Sequence, residues 1–288
     1  MITTRSLGEL PHPARLREVC QAIALLDEII EPQFDMRYYS YDVDWDGREE
    51  LASMRDGEGS FFFVWFSPHG VVIRGYDKES AAAKEPPSQS DLFEGLPTAL
   101  DAVRTEPAFR VDQLTFAIWR ATEDDRYRVG KLPKAPKAQD FDGSGRLLAC
   151  LESHPSNFIA YAKAYHEVAV KMRDVERFFD RSTIREEDVL HIHPAADVAA
   201  ALESARQLGF KTSTGEGKPL KPLGPASAVV VAPPEPRDVK GSAEFSIVKD
   251  GRRTKLVYAG KVQAWVDDAD VYDRVFEFAA TQGLKKKT

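Results

Sequence analysis

Cysteine, long apolar runs and catalytic templates are all scarce in this chain, and each scarcity excludes something. Only two cysteines, Cys20 and Cys150, occur in 288 residues. Their spacing matches no zinc or redox motif. Cys20 lies on the apolar side of a helical pattern and Cys150 follows Leu147-Leu148-Ala149. Both therefore read as buried free thiols rather than as one disulfide. The longest strictly apolar run, Phe61–Phe66, has six residues. A membrane span needs about 20, so no span is expected. The opening Met-Ile-Thr-Thr-Arg-Ser-Leu-Gly-Glu lacks the apolar core and cleavage site of a secretory signal. The expected location is cytoplasmic. No Walker A loop, G-x-G-x-x-G after a strand, G-x-S-x-G or HExxH motif is present, and no internal repeat is apparent.

What is present is an average globular composition, 43% apolar and 30% charged, with a net charge of -7. That excludes wholesale disorder. The charge is uneven. Residues 211–288 hold 14 Lys+Arg against 10 Asp+Glu, leaving 25 against 36 in residues 1–210. A duplex backbone would repel so acidic a body, so nucleic acid is not an expected partner. The terminal Lys285-Lys286-Lys287 reads as a solvated end.

The hydrophobic pattern predicts an α+β protein. Pro13 opens a helix whose one face carries Leu16, Val19, Cys20, Ile23, Leu26 and Ile30. Phe34–Tyr41 reads as an aromatic strand, Glu49–Met54 as a short helical turn, and Phe61–Phe66 with Val71–Tyr76 as a hairpin. Pro97–Thr105 reads as helix, and Leu114–Arg120 with Arg126–Val129 as a second hairpin. Residues 1–130 thus form a domain with an antiparallel sheet, and Lys131–Asp140 a linker.

The 141–210 region reads as helical. Phe158, Tyr161, Tyr165, Val168, Met172, Val175 and Phe179 make an a/d stripe over three heptads. Thr183-x-x-Glu186 suggests a capping box, and a helix from Pro194 stops at Gly209. These helices pack as a subdomain or against the sheet. A Pro-rich linker follows over 211–240, with Ala228–Ala232 as a candidate edge strand. Last comes a small unit over 241–288, a three-stranded meander with Asp250-Gly251 as a turn, and a helix capped by Asp267 or Asp268.

Two constellations suggest a metal. Asp42-Val43-Asp44-Trp45-Asp46-Gly47 matches the opening of an EF-hand loop, where alternate carboxylates converge on calcium. The bidentate glutamate that the loop requires at position 12 is here Ser53. A calcium site would use Asp42, Asp44, Asp46 and Glu50, and the alternative is a strand-end turn with solvated acids. His191-Ile192-His193 could offer two ligands from an extended segment, the alternative being an inter-helix turn. The aromatics Tyr38, Tyr39, Tyr41 and Trp45 cannot all face inward along one alternating strand, so part of them is expected to form a binding patch.

The stretch Tyr38-Tyr39-Ser40-Tyr41…Trp45…Glu50-Leu51-Ala52-Ser53-Met54-Arg55-Asp56-Gly57-Glu58-Gly59, with Gly75-Tyr76-Asp77-Lys78-Glu79-Ser80 and Phe116-Ala117-Ile118-Trp119-Arg120, resembles a group of bacterial proteins with no assigned function. The resemblance covers roughly residues 34–210. That group is similar to the small immunity and adaptor proteins of bacterial competition systems. The shared aromatic, Gly and Met positions suit a packed scaffold more than a catalytic centre, and the resemblance assigns no catalytic residues. The expected function is a protein–protein binding module for a basic partner such as a nuclease-type toxin, using Tyr38, Tyr39, Tyr41 and Trp45 and no cofactor. The alternative is a metal-assisted hydrolase built on the acidic loop or the His pair.

Overall fold

One long helix laid across one sheet organises the larger part of the chain. The computed structural model describes residues 1–134 and 140–218, and beyond them only the backbone of four strands. The chain divides into two units, Met1–Val103 with Asp112–Ala226, and Arg104–Val111 with Ser227–Thr288.

In the first unit α1 (Pro13–Ile30) has Pro13 in its first turn and buries 13 of its 18 residues. A proline there gives up no helical hydrogen bond, since first-turn N–H groups have no intrahelical acceptor. Five strands follow: β1 (Tyr39–Asp46), β2 (Glu49–Arg55), β3 (Phe61–Ser67), β4 (Gly70–Tyr76) and β5 (Phe116–Ala121). They form an antiparallel sheet in chain order. The α+β class predicted from the pattern is the one observed.

Alternation assigns the two faces of the sheet. Tyr39, Ala52, Met54, Phe62, Val64, Phe66, Val71, Ile73, Phe116 and Ile118 share one core with α1. Phe61, Phe63, Trp65, Val72 and Trp119 lie on the opposite face and are buried as well. Arg74 is also on that face. Its guanidinium donates to the carbonyls of Val103 (2.8 Å) and Gln113 (3.2 Å). Burial pulls its pKa down to about 10.

The segment Glu49–Met54 is a strand and not a helical turn. Gly47, at φ +63°, makes the tight reversal after Asp46 and returns the chain antiparallel, Asp46 opposite Glu49. Burial on both sheet faces hides the alternation that would have marked β2 as a strand. Between β4 and β5 the chain forms two short helices, α2 (Ala81–Lys84) and α3 (Gln89–Leu92), and a 3-10 helix over residues 98–104.

The helices after residue 140 pack against α1 and its core rather than standing apart. They are α4 (Ser144–Leu147), α5 (Ser156–Tyr165), α6 (Met172–Phe179), α7 (Glu186–Ile192) and α8 (Val198–Gln207). The expected continuous stripe is broken. α5 ends at Tyr165, and Glu167 takes a left-handed φ of +59°, which turns the chain before α6. The cap of α7 is Arg185 with Asp188, not Thr183 with Glu186. Asp197 caps α8 through the Ala200 N–H, so that helix begins later than Pro194. Gly209, at φ +77°, ends it as expected.

The second unit contains β6 (Glu244–Asp250), β7 (Arg253–Tyr258), β8 (Lys261–Val266) and β9 (Lys285–Lys286). The expected meander is there, in the order β8-β7-β6-β9, with β9 parallel to β6. The candidate strand at 228–232 and the helix after Asp267 lie outside the described residues, as does most of the Pro-rich linker.

Candidate functional site

The aromatic segment around Tyr38 meets the C-terminal halves of α1 and α5 over a buried carboxylate. Asp27, on α1, is fully buried. It accepts hydrogen bonds from the Tyr39 N–H (2.9 Å), the Tyr161 hydroxyl (2.9 Å) and His166 Nε2 (2.8 Å). A carboxylate accepts and cannot donate, so the Nε2 of His166 carries the proton in this contact. Three donors from two segments converge on one acid, and the acid fixes the start of β1 and the end of α5 to α1. The a/d stripe breaks just after this contact: His166 keeps helical backbone at the end of α5, its N–H on the Ala162 carbonyl, and Glu167 turns the chain away.

Around that carboxylate the rings stack outward. Tyr39 and Tyr161 meet edge to face at 5.1 Å, and Tyr161 and Tyr165 stack at 5.8 Å with 12° between planes. Tyr38 lies 4.1 Å from Tyr165 and 5.2 Å from Tyr161. The Tyr165 hydroxyl donates to the Met36 carbonyl at 3.2 Å. The outermost members are open to solvent, Met36 at 53% and Tyr165 at 41% exposure. Tyr38 is half-buried.

Electrostatics at this surface lean acidic. Burial, then Tyr165, Asp56 and Glu58, push the Tyr38 phenol up to about 12, with Arg146 opposing. Burial and the charges of Asp27 and Glu31 raise Tyr165 as well. Arg146 itself is engaged. Its Nε and Nη2 donate to Asp77 at 3.0 and 2.7 Å, and Nη2 reaches Ser60 at 3.0 Å. Asp140 accepts from the Gly145 and Arg146 N–H groups, and Asp142 from Thr4 and Ser144. The Asp142-Gly143-Ser144 turn is therefore a structural clasp between the N-terminus, β4 and α4. Gly143 permits it: a Cβ there would sit 2.1 Å from an Asp77 oxygen.

No family model matches the chain, and no curated protein or solved structure matches it.

The residues singled out from the sequence go to different places. Tyr39 is 7% exposed and belongs to the core, with its hydroxyl toward Cys150. Tyr41 also points toward α1 and donates to Glu50. Tyr39 is buried in the core and Tyr41 is half-buried against it. Trp45 is half-buried near the end of β1. Of the aromatic set, Tyr38 reaches the exposed surface just described. Tyr165, Met36 and the Asp27–His166 pair were not anticipated as parts of a site. A tyrosine at the last position of a helix followed by histidine was the available signal.

The acidic loop is a hairpin. Asp42, Asp44 and Asp46 lie on β1, and Asp42 accepts from the Asp44 N–H at 2.9 Å. Glu50 is committed elsewhere. It lies on the α1 side of β2, is 2% exposed, and forms a two-pronged ion pair with Arg17. Burial alone would lower the Arg17 pKa, but the Glu50 hydrogen bond and charge outweigh it and hold it above its ordinary value. His191 is on α7, with Nδ1 3.7 Å from Asp174, and His193 caps that helix. Among the described residues no group of three His, Cys, Asp or Glu side chains is placed to hold a metal ion. Cys20 and Cys150 are both buried and unpaired by disulfide. Burial pushes the Cys150 thiol up to about 11 and Cys20 higher still.

Proposed function

We propose that the protein is a binding module for a basic polypeptide, in the manner of an immunity or adaptor protein, and that the Met36–Tyr38–Tyr165 surface receives the partner. The observation that carries this reading is the exposure of Met36 and Tyr165 beside the half-buried Tyr38. Tyrosine gives large contact area at low entropic cost and is enriched where binding energy concentrates, and the flexible methionine adapts its shape to a partner. Electron-rich phenol faces attract Arg and Lys through cation–π contacts. The surplus of acids in residues 1–210 steers a basic protein toward the same body. Among the described residues no helix is long and apolar enough to cross a membrane.

The test is capture by the tagged full chain, with mass spectrometry of what remains after a moderate-salt wash. A stoichiometric basic protein that is lost with Tyr165→Ala and with Met36→Ala supports the reading. Capture unchanged by both substitutions would overturn it.

A further inference from the structure

At the other end of α1 lies a cavity of about 180 Å³ that the binding reading does not use. Phe66, Val71, Pro13 and Ala121 form an apolar wall, and Arg120 and His12 stand at its polar side. Arg120 projects from the α1 side of β5, opposite Val71. Its Nε donates to the Asp124 carbonyl at 3.1 Å, and its guanidinium carbon lies 5.8 Å from the Tyr127 ring centroid. The nearby Asp124 carboxylate is occupied by Arg128 (2.7 Å) and the Ala121 N–H (3.1 Å). Arg120 is thus oriented by the protein, and among the described residues no carboxylate forms an ion pair with it. The end of α1 adds to this field: His12 gives the first turn no side-chain acceptor, so its N–H groups remain for solvent or an anion. Close strand approach keeps the cavity walls in place. A Cβ on Gly70 would sit 2.4 Å from the Arg120 carbonyl.

An apolar cavity of about 150 Å³ is enough to hold a benzene ring. We propose that this cavity binds a small monocarboxylate with a compact apolar body, an aryl or branched-chain acid. The carboxylate meets Arg120, whose planar fork matches it, and the body rests on Phe66 and Val71. The apolar wall selects against inorganic anions and the arginine against neutral analogues.

The experiment titrates the full chain with benzoate, benzyl alcohol and inorganic phosphate, reading the backbone amide resonances of Ala14, Gly70 and Ala121. Benzoate is expected to shift these resonances with a Kd of about 1 mM or tighter. Benzyl alcohol and phosphate should bind at least about tenfold more weakly. Arg120→Gln should weaken benzoate at least about tenfold. Ala14→Phe, at an exposed lining position, fills the mouth and should do the same with the fold intact. The proposal is overturned by any one of four results: no shift at these amides, benzyl alcohol or phosphate binding as well as benzoate, undiminished binding in a folded Arg120→Gln protein, or undiminished binding in Ala14→Phe. The last variant decides the matter if Arg120→Gln does not fold. None of these readouts depends on a protein partner.

Discussion

The two ends of α1 treat their polar groups in opposite ways. Toward the C-terminus, Asp27 is buried and meets three donors, and the aromatic rings around it pack face and edge. At the N-terminus, His12 gives no cap and the helix opens onto a cavity beside Arg120. One end has used its polar groups for folding and the other has left them available. A buried charge held by several donors fixes geometry, and it is costly to disturb. An oriented charge facing a cavity adds little to stability and is free to meet a ligand. About one turn in from the N-terminus, the Arg17–Glu50 pair with Tyr41 belongs to the first kind.

The largest effect should come from the buried end. Asp27→Ala removes the common acceptor of Tyr39, Tyr161 and His166, and leaves three donors without it. We expect a loss of about 3–5 kcal/mol, measured by urea unfolding. A loss under about 1 kcal/mol would mean that the two ends differ less than their geometry states. The Arg17–Glu50 pair sharpens the point. Glu50→Ala alone should cost about 3 kcal/mol because Arg17 is left buried without its carboxylate. Replacing both, with Arg17→Met and Glu50→Leu, should recover most of that, since an apolar pair of similar volume avoids the desolvation of two charges. A double variant as unstable as the single one would assign the loss to packing and to the Tyr41 hydroxyl left without Glu50.

The same contrast explains what could be read in the sequence. α1 and the β3–β4 hairpin were legible because each carries a clean period or an unbroken apolar run between turn residues. β2 was not, because Leu51 and Ala52 are both buried, on opposite faces, and the period of two disappears. The stripe from Phe158 to Phe179 misled for a different reason. Its spacing suits one helix, but the chain turns at Glu167, directly after His166 meets an acid 139 residues away. Local propensity contains no information about such a partner. The acidic loop shows the reverse case. Asp42, Asp44 and Asp46 match a calcium motif locally, while Glu50, the remaining candidate ligand, is drawn to Arg17 by tertiary packing. Tyr39 and Tyr41 followed the alternation rule, two residues apart and on one face, but which face was buried depended on α1.

Alkaline pH probes the buried end without mutation. Burial raises the phenol pKa values of Tyr39, Tyr41 and Tyr161 well above the ordinary value, and Tyr38 to about 12. A tyrosine with a raised folded-state pKa contributes stability that is fully present below its unfolded pKa of about 10. That contribution is lost as pH rises through the folded-state value, because the unfolded chain releases its protons first. Stability measured by urea should therefore begin to fall above about pH 10. Tyrosinate absorbance should rise for the buried rings only as the chain unfolds. All nine tyrosines titrating in one reversible step near pH 10 in the folded protein would contradict the packing described around Asp27.

The smallest effect on stability should come from the surface above that packing, where the effect on binding should be largest. Met36 is 53% exposed, so Met36→Ala should change stability by no more than about 0.5 kcal/mol. Tyr165→Ala loses ring contacts with Tyr38 and Tyr161 and should cost about 1 kcal/mol. Neither change removes a hydrogen-bond donor of Asp27, so urea unfolding should remain cooperative in both. If the partner docks here, each substitution should weaken capture at least about tenfold, and raised salt should weaken it further because acidic groups surround the patch. A Tyr165→Ala protein as unstable as Asp27→Ala would show that the ring is part of the core assembly. A Tyr165→Ala protein that is stable and has lost its partner would instead separate the two roles, with Asp27 holding the platform and Tyr165 making the contact.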